Sequence, residues 1–289
     1  MSMSPPSSRR SLAPDSQRRP SLAPAPHLPP PTFELKRRFE SFMTQMGEVA
    51  LLSAHTIKAL WKRPFEWPSI IYQMEALGVR SMSIVATTSV FIGMVMTIQF
   101  AYGLQRFGGL EYIPRVVVLS FLRELAPTLT AVIVGGRIGS GMAAEVGAMN
   151  VTEQVDAIRA LGADPVKKLV LPRAAAAVIV MPVLSLFALL LGVVGAMIIC
   201  STQYKISPEW FLRSSLEVVQ MSDLFAGMIK TPFFGFIMAI VGCHFGLRTR
   251  GGTEGVGQST TRTVVAVSIA ILIADFVMTK FTMMLNWGG

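Results

Sequence analysis

The chain has little with which to build a metal centre or a disulfide framework: two cysteines and three histidines among 289 residues. Cys200 and Cys243 both lie inside apolar stretches and read as small core residues. His55 and His244 stand alone, without metal-ligand spacing around them. Charge is scarce too. Charged residues make up 15% of the chain and hydrophobic ones 52%, with a mean hydropathy of +0.53, outside the balance of a water-soluble domain. The formal charge of +9 would elsewhere suggest nucleic acid. Here most basic residues flank apolar runs, where they meet lipid headgroups, so no nucleic-acid partner is expected. The first 31 residues contain no apolar run but hold nine of the 18 prolines. That pattern argues against a cleaved signal peptide and for a disordered Pro/Ser/Arg-rich tail over residues 1–32.

What remains is an all-α membrane pattern. Residues 33–80 open with apolar positions 35, 39, 42, 46, 49, 52, 57 and 60 between basic clusters, as expected of an amphipathic helix lying in a membrane interface. Residues 81–105 then run 25 positions without a charge, enough to cross a hydrocarbon core of about 30 Å. Further spans are expected at about 113–136, 174–203, 224–247 and 263–285, which makes 81–289 a five-span domain. With the N-terminus cytoplasmic, the inside loops hold eight basic residues (Arg137, Arg159, Lys167, Lys168, Arg173, Arg248, Arg250, Arg262). The outside holds five (Arg106, Arg115, Lys205, Arg213, Lys280). The basic bias predicts the N-terminus on the cytoplasmic side and the C-terminus on the opposite side.

Two polar segments interrupt this pattern. Between the second and third spans, residues 151–161 read as a short helix, with Asn150 and Glu153 forming a capping box and Gly162 with Asp164-Pro165 as its stop. Val151, Val155, Ile158 and Leu161 make an apolar stripe, with Glu153, Gln154, Asp156 and Arg159 facing elsewhere. Such a helix needs a partner for one face, either another protein or the chain's own helices. Near the C-terminus, GGTEGVGQST (251–260) approaches the phosphate-cradling pattern G-x-x-x-x-G-K-[ST]. It lacks the lysine, having Gln258 there, and sits between spans instead of between a strand and a helix, so it reads as a cytoplasmic turn without nucleotide chemistry.

Charges inside spans are expensive, so Arg123-Glu124 and Asp275 should face protein or a wet cavity. Adjacent helical residues point about 100° apart and cannot simply neutralise each other. Either the pair lines a polar path or it joins an interhelical network, with Asp275 or Lys280 of the last span as partners. A proton relay through Asp275 would need a second relay group, and none is evident. Met94, Ile98, Gln99 and Tyr102 of the first span would supply an apolar wall with one polar group. Glycines 135, 136, 139, 141 and 147 permit close helix approach.

Several segments together resemble one family. FIGMVMTIQ (91–99), LRELAPTLTAVIVGGRIGSGMAAEVGAMNVTEQVDAIRALGADP (122–165), GGTEGVGQSTTRTVV (251–265) and DFVMT (275–279) are similar to the MlaE/YrbE permeases of lipid ABC transporters. The resemblance runs from about residue 33 to the C-terminus. It implies a homodimeric permease in a bacterial inner membrane, moving phospholipid or a related lipid between that membrane and the outer envelope. It also implies a separate cytoplasmic ATPase holding ATP and Mg, a periplasmic MCE ring, a small STAS-type subunit, and no cofactor or catalytic residue in this chain. On it, Arg123, Glu124 and Leu125 border the lipid path with Met94, Ile98, Gln99 and Tyr102. Glu145, Glu153, Gln154, Asp156, Ile158 and Arg159 belong to the segment coupled to the ATPase. Two other classes stay open on residues alone: a membrane-embedded lipid-modifying enzyme using Glu124, Asp275 or His244, and a structural scaffold.

Overall fold

The computed structural model describes residues 31–61 and 66–284, without the side chains of 31–39, 41 and 42. The tail expected over 1–32 falls almost wholly outside the described residues. Among these residues there is helix and no strand. Helix α1 covers Pro31–Leu60 and α2 covers Trp67–Gln105. Pro68 stands at the start of α2, where a missing N–H costs nothing. No breaker follows, so residues 67–80 join the first span in one helix of 39 residues, about 58 Å long.

A single 3₁₀ turn, Leu110–Tyr112, leads into α3 (Ile113–Ser120), a π-helical turn (Phe121–Leu125) and α4 (Ala126–Val151), stacked end to end. Then come α5 (Gln154–Ala160), a second π turn (Val166–Val170) and α6 (Leu171–Gln203). The last part holds α7 (Pro208–Val218), α8 (Met221–Met228), α9 (Lys230–Leu247) and α10 (Gly252–Met284). Among the described residues five helical segments are long and apolar enough to cross a membrane: Trp67–Gln105, Leu110–Val151, Val166–Gln203, Met221–Leu247 and Gly252–Met284.

The tightest seam joins α2 to α6. A Cβ on Gly93 would fall on the carbonyl oxygen of Gly192, and one on Gly195 on the carbonyl of Val90. Backbones at that separation exchange dispersion contacts that no larger residue permits. Val85, Ser89, Thr97 and Ala101 line the same buried stripe of α2. Helix α4 packs against α9 and α10, and α9 also meets α6. By contrast α10 buries only Thr263, Val267 and Ile271, leaving Val265, Ile269, Leu272, Ile273 and Phe276 exposed.

Polar contacts gather the connections at one end of the bundle. Lys168 Nζ lies 2.6 Å from Glu66 at the start of α2, and His55 lies 3.1 Å from Asp164. Arg248 donates to Glu48 at 2.7 Å, and Asn150 Nδ2 donates to the Thr249 carbonyl at 3.0 Å. The start of α2, the end of α4, α5 and the α9–α10 connection therefore share what we call the α5 end.

Two local expectations change. Asn150 does not cap α5: it lies inside α4, and the N-cap is Glu153, in the left-handed region at φ 59° with no side-chain cap bond. Its amide serves the Thr249 carbonyl instead. The glycine-rich stretch is not a loop either. Helix α10 starts at Gly252, and the turn is confined to residues 248–251, where Gly251 takes φ +87°.

Candidate functional site

The π turn at Phe121–Leu125 sets the site. Arg123 and Glu124 leave this turn on different headings, as adjacent helical residues do, and each finds a partner on a different element. Arg123 Nε donates to Asp223 Oδ1 at 2.7 Å, and a second guanidinium nitrogen reaches the same oxygen at 2.5 Å. Asp223 is positioned by α8 itself. Its Oδ2 accepts from the Gln220 backbone N–H at 3.0 Å, closing a capping box. Asp223 is buried, whereas the Arg123 side chain is 38% exposed, so part of the guanidinium faces outward.

Glu124 enters a second network. Lys230, at the start of α9 and 1% exposed, places Nζ 2.8 and 2.9 Å from the two carboxylate oxygens. The ammonium also donates to Thr279 Oγ1 at 2.6 Å, and it stands 3.5 Å from Asp275 Oδ1. Thr279 Oγ1 returns to Glu124 at 3.1 Å. Four polar groups from three spans thus converge in an apolar bundle, where an unpaired charge would be costly and a satisfied network is rigid. The Glu124 side chain stays 39% exposed. The site can therefore present an acid and a guanidinium, both anchored from behind, to whatever occupies the adjoining space. Among the described residues no group of three or more His, Cys, Asp or Glu could hold a metal.

The other expected path residues behave differently. Leu125 packs against the core. Met94 is partly buried, and Ile98, Gln99 and Tyr102 are exposed, off the stripe that α2 presents to α6. Tyr102 accepts a 2.7 Å hydrogen bond from Arg106, which also sits 5.0 Å over its ring. No hydrogen bond or ion pair among the described residues joins these side chains to the Glu124 network. Lys280 is exposed and has no ion-pair partner within the described residues, whereas Asp275 joins through Lys230. Sequence reasoning missed Asp223, Lys230 and Thr279. Thr279 lies one helical turn from Asp275, and Lys230 opens an apolar span just as Arg123-Glu124 interrupts one; both were usable signals.

At the α5 end, Val155 is fully buried, Ile158 partly, and Leu161 is 86% exposed, so the apolar stripe splits between the bundle and the outside. Glu153 and Gln154 are exposed, and Asp156 pairs with Arg159 at 2.7 Å on the outer face. A cleft of about 470 Å³ runs between Leu161, Ile158 and Ile70, edged by Lys168 and Asp164. Glu145 stands apart from these residues. It holds the buried Arg173 at 3.1 Å.

The family model Permease MlaE matches residues 70–281. A probable ABC transporter permease protein of Synechocystis is 46% identical over 204 residues, 71% of this chain and 78% of the relative. One from Rickettsia typhi is 39% identical over 239 residues, 83% of this chain and 92% of the relative. Protein TRIGALACTOSYLDIACYLGLYCEROL 1, chloroplastic, of Arabidopsis thaliana is 37% identical over 233 residues, 81% and 67% of the two chains.

Proposed function

This chain belongs to the MlaE permease family, as the multi-pass permease subunit of an ABC transporter, and from that premise we propose that its cargo is phospholipid or a related lipid. On this reading it sits in a bacterial inner membrane with the α5 end cytoplasmic, and carries lipid between that membrane and the outer envelope. The observation that carries the reading is the anchored polar site among apolar spans. Arg123 keeps one guanidinium nitrogen beyond the two that Asp223 holds, and a phosphate oxygen is its natural acceptor. Glu124, fixed by Lys230 and Thr279, shapes the space beside it. The name of the Arabidopsis relative contains a diacylglycerol lipid, which agrees with such a cargo.

The energy source belongs to another chain. A cytoplasmic ATPase binding ATP and Mg would dock on α5, with Leu161 as apolar anchor and Glu153, Gln154, Asp156 and Arg159 as the polar rim. A second copy would cover the exposed apolar side of α10. An MCE ring and a small STAS-type subunit complete the proposed assembly, and α1 would lie along the interface.

The test is capture of lipid from the site. A photoreactive residue replacing Ile98 or Glu124, in the full chain with its ATPase, should crosslink phospholipid, and Arg123→Gln should reduce that yield. Capture of neighbouring protein segments alone would refute the lipid path. Glu153→Lys with Asp156→Lys should release the ATPase, and retained binding and transport would remove the docking role of α5.

A further inference from the structure

About 20 Å along the helix from Glu124, at the α5 end, a second cleft opens between α2, α4 and α10. Its volume is about 540 Å³. The floor is apolar and includes the buried Leu77 and Met142, while Arg80 and Arg137 stand on the rim. Arg137 donates one hydrogen bond, to Ser81 Oγ at 2.6 Å. Among the described residues neither arginine has a carboxylate within 4 Å, and Glu145, which also borders the cleft, is engaged by Arg173. Two guanidinium charges thus share one concave surface whose one bordering carboxylate, Glu145, is paired with Arg173 instead of with either of them.

Their depth matters. Arg80 is the last charge before the uncharged run of residues 81–105, and Arg262 of α10 is the last before an uncharged run that ends at Asp275. These changes of polarity fix the level at which hydrocarbon gives way to headgroups. A cationic rim at that level, above an apolar floor, has the polarity profile of a phosphodiester lipid. A free phosphate would leave the floor unused. The bordering hydroxyls of Thr260 and Thr261 both donate to the Gly257 carbonyl, at 2.7 and 3.1 Å. Recognition therefore falls to charge instead of to details of the headgroup.

We propose that this cleft is a lipid-headgroup site in which Arg80 and Arg137 hold the phosphodiester while an acyl chain lies on the floor between α2 and α4. It deepens the transport reading and rests on it only for treating the bound lipid as cargo. The site would serve the leaflet at the α5 end, as Arg123 and Glu124 serve the opposite half.

The full-length chain would carry a photoreactive residue at Ala76, which lines the cleft. It would be placed in phosphatidylcholine nanodiscs containing equal amounts of phosphatidylglycerol and diacylglycerol. Mass spectrometry should find phosphatidylglycerol captured over diacylglycerol. In Arg80→Gln with Arg137→Gln that preference should fall by about tenfold or more, as expected when charge-assisted hydrogen bonds are lost. Arg80→Lys with Arg137→Lys should retain most of it. A photoreactive residue at Leu190, exposed on α6, should show no dependence on either arginine. An unchanged preference in the Gln variant, capture of a neighbouring protomer in place of lipid, or displacement of the lipid by millimolar inorganic phosphate would each overturn the proposal. Transport lost while Arg-dependent capture persists in the wild-type chain would sink the transport reading alone. Intact transport with capture blind to both arginines would sink this site alone.

Discussion

Lys230→Met is the most informative perturbation of the buried network. Among the described residues Lys230 is the one cation within 4 Å of both Glu124 and Asp275. Its removal leaves two carboxylates facing each other across an apolar bundle, with Thr279 as the remaining donor. Breaking a buried pair by deleting one partner costs about 3–5 kcal/mol. The Glu124 side chain is 39% exposed and Asp275 17%, so water screens part of the penalty and the expected loss is about 3 kcal/mol. Glu124→Gln should cost less, about 1–2 kcal/mol, because Lys230 keeps Asp275 and the new amide can still accept from the ammonium. The triple change Lys230→Met, Glu124→Gln, Asp275→Asn removes every charge and should return to within about 1–2 kcal/mol of wild type, as charge-free replacements of buried ion pairs do. Unfolding of the full chain by sodium dodecyl sulfate in mixed micelles measures all three. If the triple variant is as unstable as Lys230→Met, the damage comes from the lysine's packing and not from stranded carboxylates.

Gly93→Ala should cost about 3 kcal/mol or more, since a Cβ there meets the Gly192 backbone, whereas Gly103→Ala, with open space around it, should gain roughly 0.5–1 kcal/mol of helix stability; the same unfolding assay separates them. At Glu153, whose φ is 59°, Gly should stabilise by up to about 1 kcal/mol and Val should destabilise by at least that amount, so similar stabilities for the two would show that the turn relaxes freely. Leu161→Asp should leave folding unchanged and weaken ATPase association by roughly ten- to a hundredfold, the value of one buried leucine. Copurification at matched expression reads the result, and undiminished binding would place the ATPase elsewhere.

The five spans were legible because length and hydropathy alone decide which segments can cross a bilayer. The charged pair in the second span was legible for the complementary reason that the bilayer penalises it. Its partners were not. Asp223 and Lys230 lie about a hundred residues further on and look like ordinary charges near a helix start. The sequence reading offered Asp275 or Lys280 as interhelical partners; Asp275 takes part only through Lys230, and Lys280 takes no part in the network. Asn150 shows a local rule losing to a tertiary one. Its spacing to Glu153 suits a capping box, but the Thr249 carbonyl competes for the amide and α4 continues past it. The glycines of 251–260 misled in the same direction: turn propensity yields once the alternative is unpaired backbone near a membrane, and the reversal shrinks to four residues.

The wide turn at Phe121–Leu125 amounts to a spare residue stored in a helix that otherwise runs from Ile113 to Val151. In most of the spans a one-residue deletion would rotate everything beyond it by about 100° and misalign every buried side chain downstream. Here the loss could be absorbed by tightening the coil to ordinary winding, leaving the faces of α3 and α4 near their present headings. The same turn at Val166–Val170 gives α6 the same tolerance. Length variation within these spans should therefore collect at these two places, and a shortened copy would keep its bundle while turning Arg123 and Glu124 away from their present partners.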